Sequence, residues 1–288
     1  MGTEASRATV RLLRLPLELA AGGVGQLTGY FGRTLPWRRT GRDEPATGGG
    51  PPVLLAHGLA DRESVCTALR QGLGGLGVGP FITVSYEALS PDIRAAARVL
   101  GEQVELAIAR SAGRAVVVIG YSLGGLVARY YVQRLGGDTY VPLVITLATP
   151  HGGTTAALLA PPHPLLRQLR PGSGLLTELA EPAVGCRTRF VAFYSDLDQA
   201  VIPATRGRID HPDLMACNVL VAGVGHLTLP THRPVIDQVR SLLSRLLTAA
   251  QQAASAAGPP HGPNPTTNGQ PHDTAGALRD SVTETEDP

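Results

Sequence analysis

Residues 119–130 read IGYSLGGLVARY, and Ser122 stands among them in the pattern G-x-S-x-G. A serine hydroxyl is a weak nucleophile. It becomes a useful one beside a histidine base that a carboxylate orients, with N–H donors placed for the developing oxyanion. In a chain with 35 glycines among 288 residues the bare pattern is weak, so its context carries the inference. That context is AVVVIG followed directly by YSLGGLVARYYVQRL, which reads as strand, sharp turn and helix with the serine on the turn. Such a turn strains the serine backbone and lifts the hydroxyl above the strand's carboxyl end. Gly120 and Gly124 leave room for strand and helix to approach each other.

Of eight histidines, only His226 follows a predicted strand beyond the serine, in NVLVAGVGHLTLP, and it is the expected base. The carboxylate should end the preceding strand, where RFVAFYSDLDQAVIP offers Asp196 and Asp198. Asp198 is favoured because Val201, Ile202 and Pro203 follow it as the run-out of an acid loop. Asp196 lies nearer the strand and reads as a turn cap. For the oxyanion, Leu123 supplies the main-chain N–H after the nucleophile. Leu59, in VLLAHGL, supplies a second one, with His57 and Gly58 shaping that loop.

The elements that must position these residues are short β-branched runs alternating with helical patterns. Strands are expected at VLLAHG (53–58), FITVSY (81–86), AVVVIG (115–120), LVITLAT (143–149), RFVAFYS (189–195) and NVLVAG (218–223), each apolar enough for burial on both faces. Ser90-Pro91-Asp92 opens a helix reaching about Arg110. A second helix runs from Leu123 to Leu135 and stops at Gly136-Gly137, and a last one spans Arg233 to Ala254. The alternation predicts an α/β fold with a mostly parallel sheet covered on both sides. Between the strands near Thr149 and Arg189, residues 151–187 form an insertion in which Leu165, Leu166 and Leu169, then Leu175, Leu176 and Leu179, give two short amphipathic helices. Such a segment either covers an apolar pocket above Ser122 as a cap or packs on the sheet.

Composition excludes several functions. The net charge is +2, acidic residues offset the basic ones, and one tryptophan with four phenylalanines makes no stacking platform, so nucleic acid is not an expected partner. Cys66, Cys186 and Cys217 lack metal-ligand spacing, and their odd number suits reduced thiols, with a Cys186–Cys217 bridge as the alternative. His57 and His151 have no cluster of carboxylates beside them to complete a metal site, and no cofactor is expected.

Outside the catalytic candidate, residues 1–37 carry Val10, Leu13, Leu17 and Val24 opposite Arg7, Arg11, Arg14 and Glu18 at helical spacing, with Pro16 as a kink. This segment either packs on the domain or lies on a membrane surface. It has neither the uncharged run of a membrane span nor the cleavage site of a secretory signal, which leads to an expected cytoplasmic or peripheral-membrane location. Residues 38–51 read as a linker, residues 52–254 as the catalytic domain, and residues 255–288, rich in proline and polar groups, as a disordered tail.

With LLAHGL, GYSLGGLVARYY, ITLATPHGGT, YSDLDQAVIP and VGHLTLP in that order, the chain resembles the α/β-hydrolase superfamily over about residues 52–248. Within it the motifs are similar to those of bacterial lipases and esterases with HG-type oxyanion loops. The resemblance implies a cofactor-free carboxylic ester hydrolase in which Ser122, Asp198 and His226 are nucleophile, orienting acid and base, acting on acyl or lipid esters. The same site runs acyl transfer, thioester and amide cleavage on related folds, and a silent hydrolase fold serving as a lipid-binding or interaction module is the alternative from outside catalysis. No obligate protein partner is implied.

Overall fold

The computed structural model describes residues 50–59, 64–86, 92–160 and 163–256. The amphipathic segment 1–37, nearly all of the linker and the tail beyond Ala256 lie outside them. So do Ser90 and Pro91.

Six strands form one sheet in the order β2-β1-β3-β4-β5-β6, every pairing parallel: β1 (Val53–Ala56), β2 (Phe81–Thr83), β3 (Val117–Tyr121), β4 (Leu143–Leu147), β5 (Arg189–Ser195) and β6 (Met215–Val221). Parallel neighbours need crossovers. Helices α1 (Ser64–Leu73), α2 (Ile93–Arg110), α3 (Leu123–Arg134) and the short α4 (Pro164–Gln168) and α5 (Gly174–Ala180) supply those as far as β5, a loop with one 3-10 turn (Ala204–Gly207) joins β5 to β6, and α6 (Arg233–Ala256) follows β6.

The period-two alternation of the strands divides the core in two. Val53, Leu55, Val117, Ile119, Ile145 and Phe193 face α1 and α6, whereas Leu54, Val118, Val144 and Phe190 face α2 and α3. All of β1, β3 and β4 is buried, as near-continuous apolar runs require. Each large side chain so buried contributes roughly 1.5–3 kcal/mol.

The last strand departs from expectation. NVLVAG was expected to be buried on both faces, but β6 starts earlier, at Met215, and is the sheet edge, with Met215 and Leu220 each 53% exposed. An edge strand has one neighbour, and the helices do not reach far enough to cover it. The strand after Pro80 is likewise shorter than FITVSY suggests, ending at Thr83 while Val84 and Tyr86 stay buried.

Helix α2 begins later than its proline suggested. Asp92, with extended backbone, is the N-cap, and its carboxylate accepts from the Arg94 N–H at 3.0 Å. Helix α3 ends as expected, with Gly136 left-handed at φ 74°.

The insertion forms α4 and α5, and most of its leucines are buried. Leu165, Leu169, Leu175, Leu176 and Leu179 are buried in the core on the α2–α3 side. Polar latches fix the helices there. Gln168 accepts the Ile93 N–H at 3.1 Å, Glu178 is bidentate to Arg94, and Tyr130 donates to Glu178 at 3.0 Å. The amphipathic faces pack on helices α2 and α3 beneath them, not on the sheet edge.

Candidate active site

Every residue picked out for chemistry lies just beyond the carboxyl end of a parallel strand: Leu59 after β1, Ser122 after β3, Asp198 after β5 and His226 after β6. The chain reverses its direction of sheet growth between β1 and β3, since β2 lies on one side of β1 and every later strand on the other. Loops diverge at such a point and leave a crevice, which is where open α/β sheets bind ligands.

Ser122 has φ 52° and ψ −117°, a left-handed backbone rare for a residue with a side chain. Its N–H is held by the Leu147 carbonyl at 2.8 Å. Close packing maintains the strain. A Cβ on Gly120 would fall 2.6 Å from the Gly125 backbone, and one on Gly124 would fall 2.1 Å from the Ala56 carbonyl oxygen. Gly125, which sequence reasoning passed over, is equally confined, with Thr149 Oγ1 at 2.0 Å from its notional Cβ.

Ser122 Oγ lies 3.1 Å from His226 Nε2. On the other side of the ring, Nδ1 lies 2.8 Å from Asp198 Oδ2 and 3.0 Å from Oδ1. Asp198 is 1% exposed, and its Oδ1 also accepts from the N–H groups of Ala200 and Val201, each at 2.8 Å. Those two donors satisfy and orient the buried carboxylate. Asp196 is spent elsewhere: it accepts the Gly223 N–H at 2.8 Å and so caps the turn that leads to the histidine.

His57 and Gly58 carry the loop after β1. The His57 ring stacks on Tyr86 at 4.3 Å, its Nδ1 lies 2.9 Å from the Gly58 carbonyl, and Tyr86 donates its hydroxyl proton to the His57 carbonyl. Gly58 sits so close that a Cβ there would lie 3.1 Å from Ser122 Cβ. The next residue, Leu59, and Leu123 at the first turn of α3 have main-chain N–H groups that donate to no protein acceptor among the described residues. Two such donors flanking a serine hydroxyl are suited to a developing oxyanion.

His151 is not part of this cluster. Its ring is buried, with Nε2 2.9 Å from Thr146 Oγ1, and burial together with the nearby Arg129 charge holds its pKa well below the ordinary value. Arg129 itself is buried and bonds the carbonyls of His151 and Leu179, and desolvation draws its pKa down to about 10. This guanidinium ties α3 to the loop after β4 and to the end of α5. Among the described residues no group of three His, Cys, Asp or Glu side chains could hold a metal ion, and no disulfide joins the three cysteines.

Sequence reasoning also missed Gln199, whose side-chain carbonyl accepts the His226 main-chain N–H at 3.1 Å, and Tyr121, whose ring lies 5.4 Å from that of His226. Neither has a motif to announce it, although each directly adjoins a residue that was singled out.

A family model described as palmitoyl protein thioesterase matches residues 52–205, more than half of the chain. The matched stretch holds Ser122 and Asp198 and stops before His226. No curated protein matches the sequence. Among solved structures, lipase BlEst2 of Bacillus licheniformis in its mature form superposes with a TM-score of 0.59 at 16% identity, over 70% of this chain and 96% of that one. Lipase B of Aspergillus fumigatus gives 0.59 at 17% identity, over 71% of this chain but only 55% of the fungal enzyme. At such identities what is shared is the fold.

Proposed function

We propose, from the premise that the chain belongs to the palmitoyl protein thioesterase family of α/β-hydrolases, that it is a serine hydrolase of acyl esters working through an acyl-serine intermediate. The observation that carries the reading is the continuous hydrogen-bonded line from Asp198 through His226 to Ser122, closed across 104 residues of sequence. We assign the activity to a domain spanning residues 52–254.

In this reading His226 Nε2 takes the proton as Ser122 Oγ attacks the acyl carbonyl. The N–H groups of Leu59 and Leu123 hold the oxyanion. The imidazolium, steadied by Asp198, then gives its proton to the leaving oxygen, and the acyl group stays on Ser122. Water repeats the cycle from the other side: His226 takes its proton as its oxygen adds to the acyl carbon, and the imidazolium returns that proton to Ser122 Oγ as the C–Oγ bond breaks and the acid leaves.

The substrate class is read as acyl lipid esters. Leu158 and Leu159 support this, being 55% and 93% exposed on a turn fastened to the acid loop by Thr154 and Thr155, which bond Ala200 and Ile202. A second reading, cleavage of S-acyl thioesters, is favoured by the family match itself. The chemistry differs only in the leaving atom, and a thiolate needs less help from the His226 proton than an alkoxide does. No helix of the described residues is long and apolar enough to cross a membrane.

The test is a matched pair of series, p-nitrophenyl esters and S-acyl thioesters from two to sixteen carbons, given to the wild type and to Ser122→Ala. Ser122-dependent turnover of the oxygen esters is the expected result. Turnover confined to thioesters would move the assignment to the second reading, and none on either would end both.

A further inference from the structure

His226 reaches Ser122 from a loop. A loop residue that must keep a ring nitrogen 3.1 Å from a hydroxyl needs its backbone fixed as well as its ring, because a shift of an ångström in the main chain carries the ring with it. Asp198 orients the ring. The surrounding main chain is held at several points: Gly223 N–H by Asp196, Val224 carbonyl by the Ser195 hydroxyl, and the His226 carbonyl by the Tyr121 hydroxyl at 3.4 Å. At His226 itself the Tyr121 bond is long, which leaves the N–H as the firmer handle.

That N–H goes to Gln199 Oε1 at 3.1 Å, across 27 residues of sequence. We propose that Gln199 is a positioning residue, locking the backbone of His226 to the same turn whose carboxylate, Asp198, holds its ring. The turn is a firm reference. Asp198 Oδ1 closes it through Ala200 and Val201, and Thr154 Oγ1 accepts the Ile202 N–H at 3.0 Å just beyond it. Ring and main chain are therefore referred to one rigid segment, so the segment can shift without changing how the imidazole meets the carboxylate. The inference rests on the serine-hydrolase reading above.

The test uses Gln199→Met, which removes the acceptor at similar length, and Gln199→Glu, which keeps an acceptor with the same reach. For the Met variant kcat falls about tenfold with KM unchanged, the size expected for one lost hydrogen bond. Labelling of Ser122 by a fluorophosphonate slows by the same factor, and the Glu variant recovers most of both losses. Each rate is measured well below the variant's melting temperature, so that lost stability is not read as lost alignment. A Met variant within about twofold of wild type, or a Glu variant as slow as the Met variant, overturns the proposal. Absence of Ser122-dependent labelling in the unsubstituted chain overturns instead the reading on which it rests.

Discussion

His226 Nε2 stands 3.1 Å from Ser122 Oγ while its Nδ1 stands 2.8 Å from Asp198 Oδ2, so one ring joins a partly exposed hydroxyl to a buried carboxylate. A ring held at both nitrogens has one tautomer available for proton transfer: Nδ1 donates to Asp198 and Nε2 is left to accept from the serine. The arrangement separates two aspartates that stand two positions apart in the sequence.

Replacing Asp198 with Asn lets the amide favour the wrong tautomer, and activity should fall by about 10³–10⁴-fold, with Ser122→Ala at least as severe. Asp196→Asn keeps an oxygen acceptor for the Gly223 N–H and should stay within about tenfold of wild type. Ester hydrolysis by the three variants checks this. A larger loss at Asp196 than at Asp198 would reverse the assignment of the acid.

Gly124→Ala tests the packing that strains the nucleophile. Its Cβ would lie 2.1 Å from the Ala56 oxygen and 2.5 Å from the Ala56 carbonyl carbon, both main-chain atoms of a fully buried strand that cannot move aside cheaply. Thermal or denaturant unfolding should show a loss of about 3 kcal/mol or more, at the top of the range for overpacking. An unchanged midpoint would mean that α3 is free to slide on β1.

The succession of strands and helices along the chain, and the places of Ser122 and His226 just after strands, were legible because each depends on local signals: β-branched runs, glycines at a tight turn, and a histidine after a strand. Three kinds of feature were not. Helix α1 was overlooked although Val65, Cys66, Leu69 and Leu73 recur on one face, since the run is short and breaks no composition rule. The fate of the insertion was open because an amphipathic helix declares that it has an apolar face and leaves the partner unstated. Here the partner was decided by Arg94 meeting Glu178 and Ile93 meeting Gln168, contacts across 84 and 75 residues. Gln199 and Gly125 were silent for the same reason. Their roles lie in what the fold brings opposite them, His226 in one case and Thr149 in the other.

His151 should set part of the acid sensitivity of the fold. Burial and the Arg129 charge keep it neutral in the folded chain, while in the unfolded chain it takes up a proton near its ordinary value of about 6.5. A depressed folded pKa means that the unfolded state binds the extra proton. Its contribution to stability is therefore present above about pH 6.5 and lost progressively as the pH falls toward the folded value, by up to about 1.4 kcal/mol per pH unit. His151→Gln, whose amide can still meet Thr146 Oγ1, should flatten the decline in melting temperature between about pH 6.5 and 5. Parallel declines in the two proteins would show that His151 is not the group responsible.

The exposed pair Leu158 and Leu159 offers a direct test of the substrate class. The stretch from Thr154 to His163 carries no acidic or arginine side chain, and its turn is bonded to the acid loop through the Thr155 N–H and the Ile202 carbonyl at 2.9 Å. Apolar side chains this exposed gain from contact with hydrocarbon, and fully burying a leucine is worth roughly 1.5–3 kcal/mol. If acyl chains or an aggregated ester rest there, Leu158→Ser with Leu159→Ser should raise the apparent KM for a long-chain ester by about tenfold or more. Hydrolysis of p-nitrophenyl acetate, too short to reach the turn, should keep its wild-type rate. Equal effects on both esters would point to a general disturbance of the acid loop, and no effect on either would mean that the two leucines do not meet the substrate.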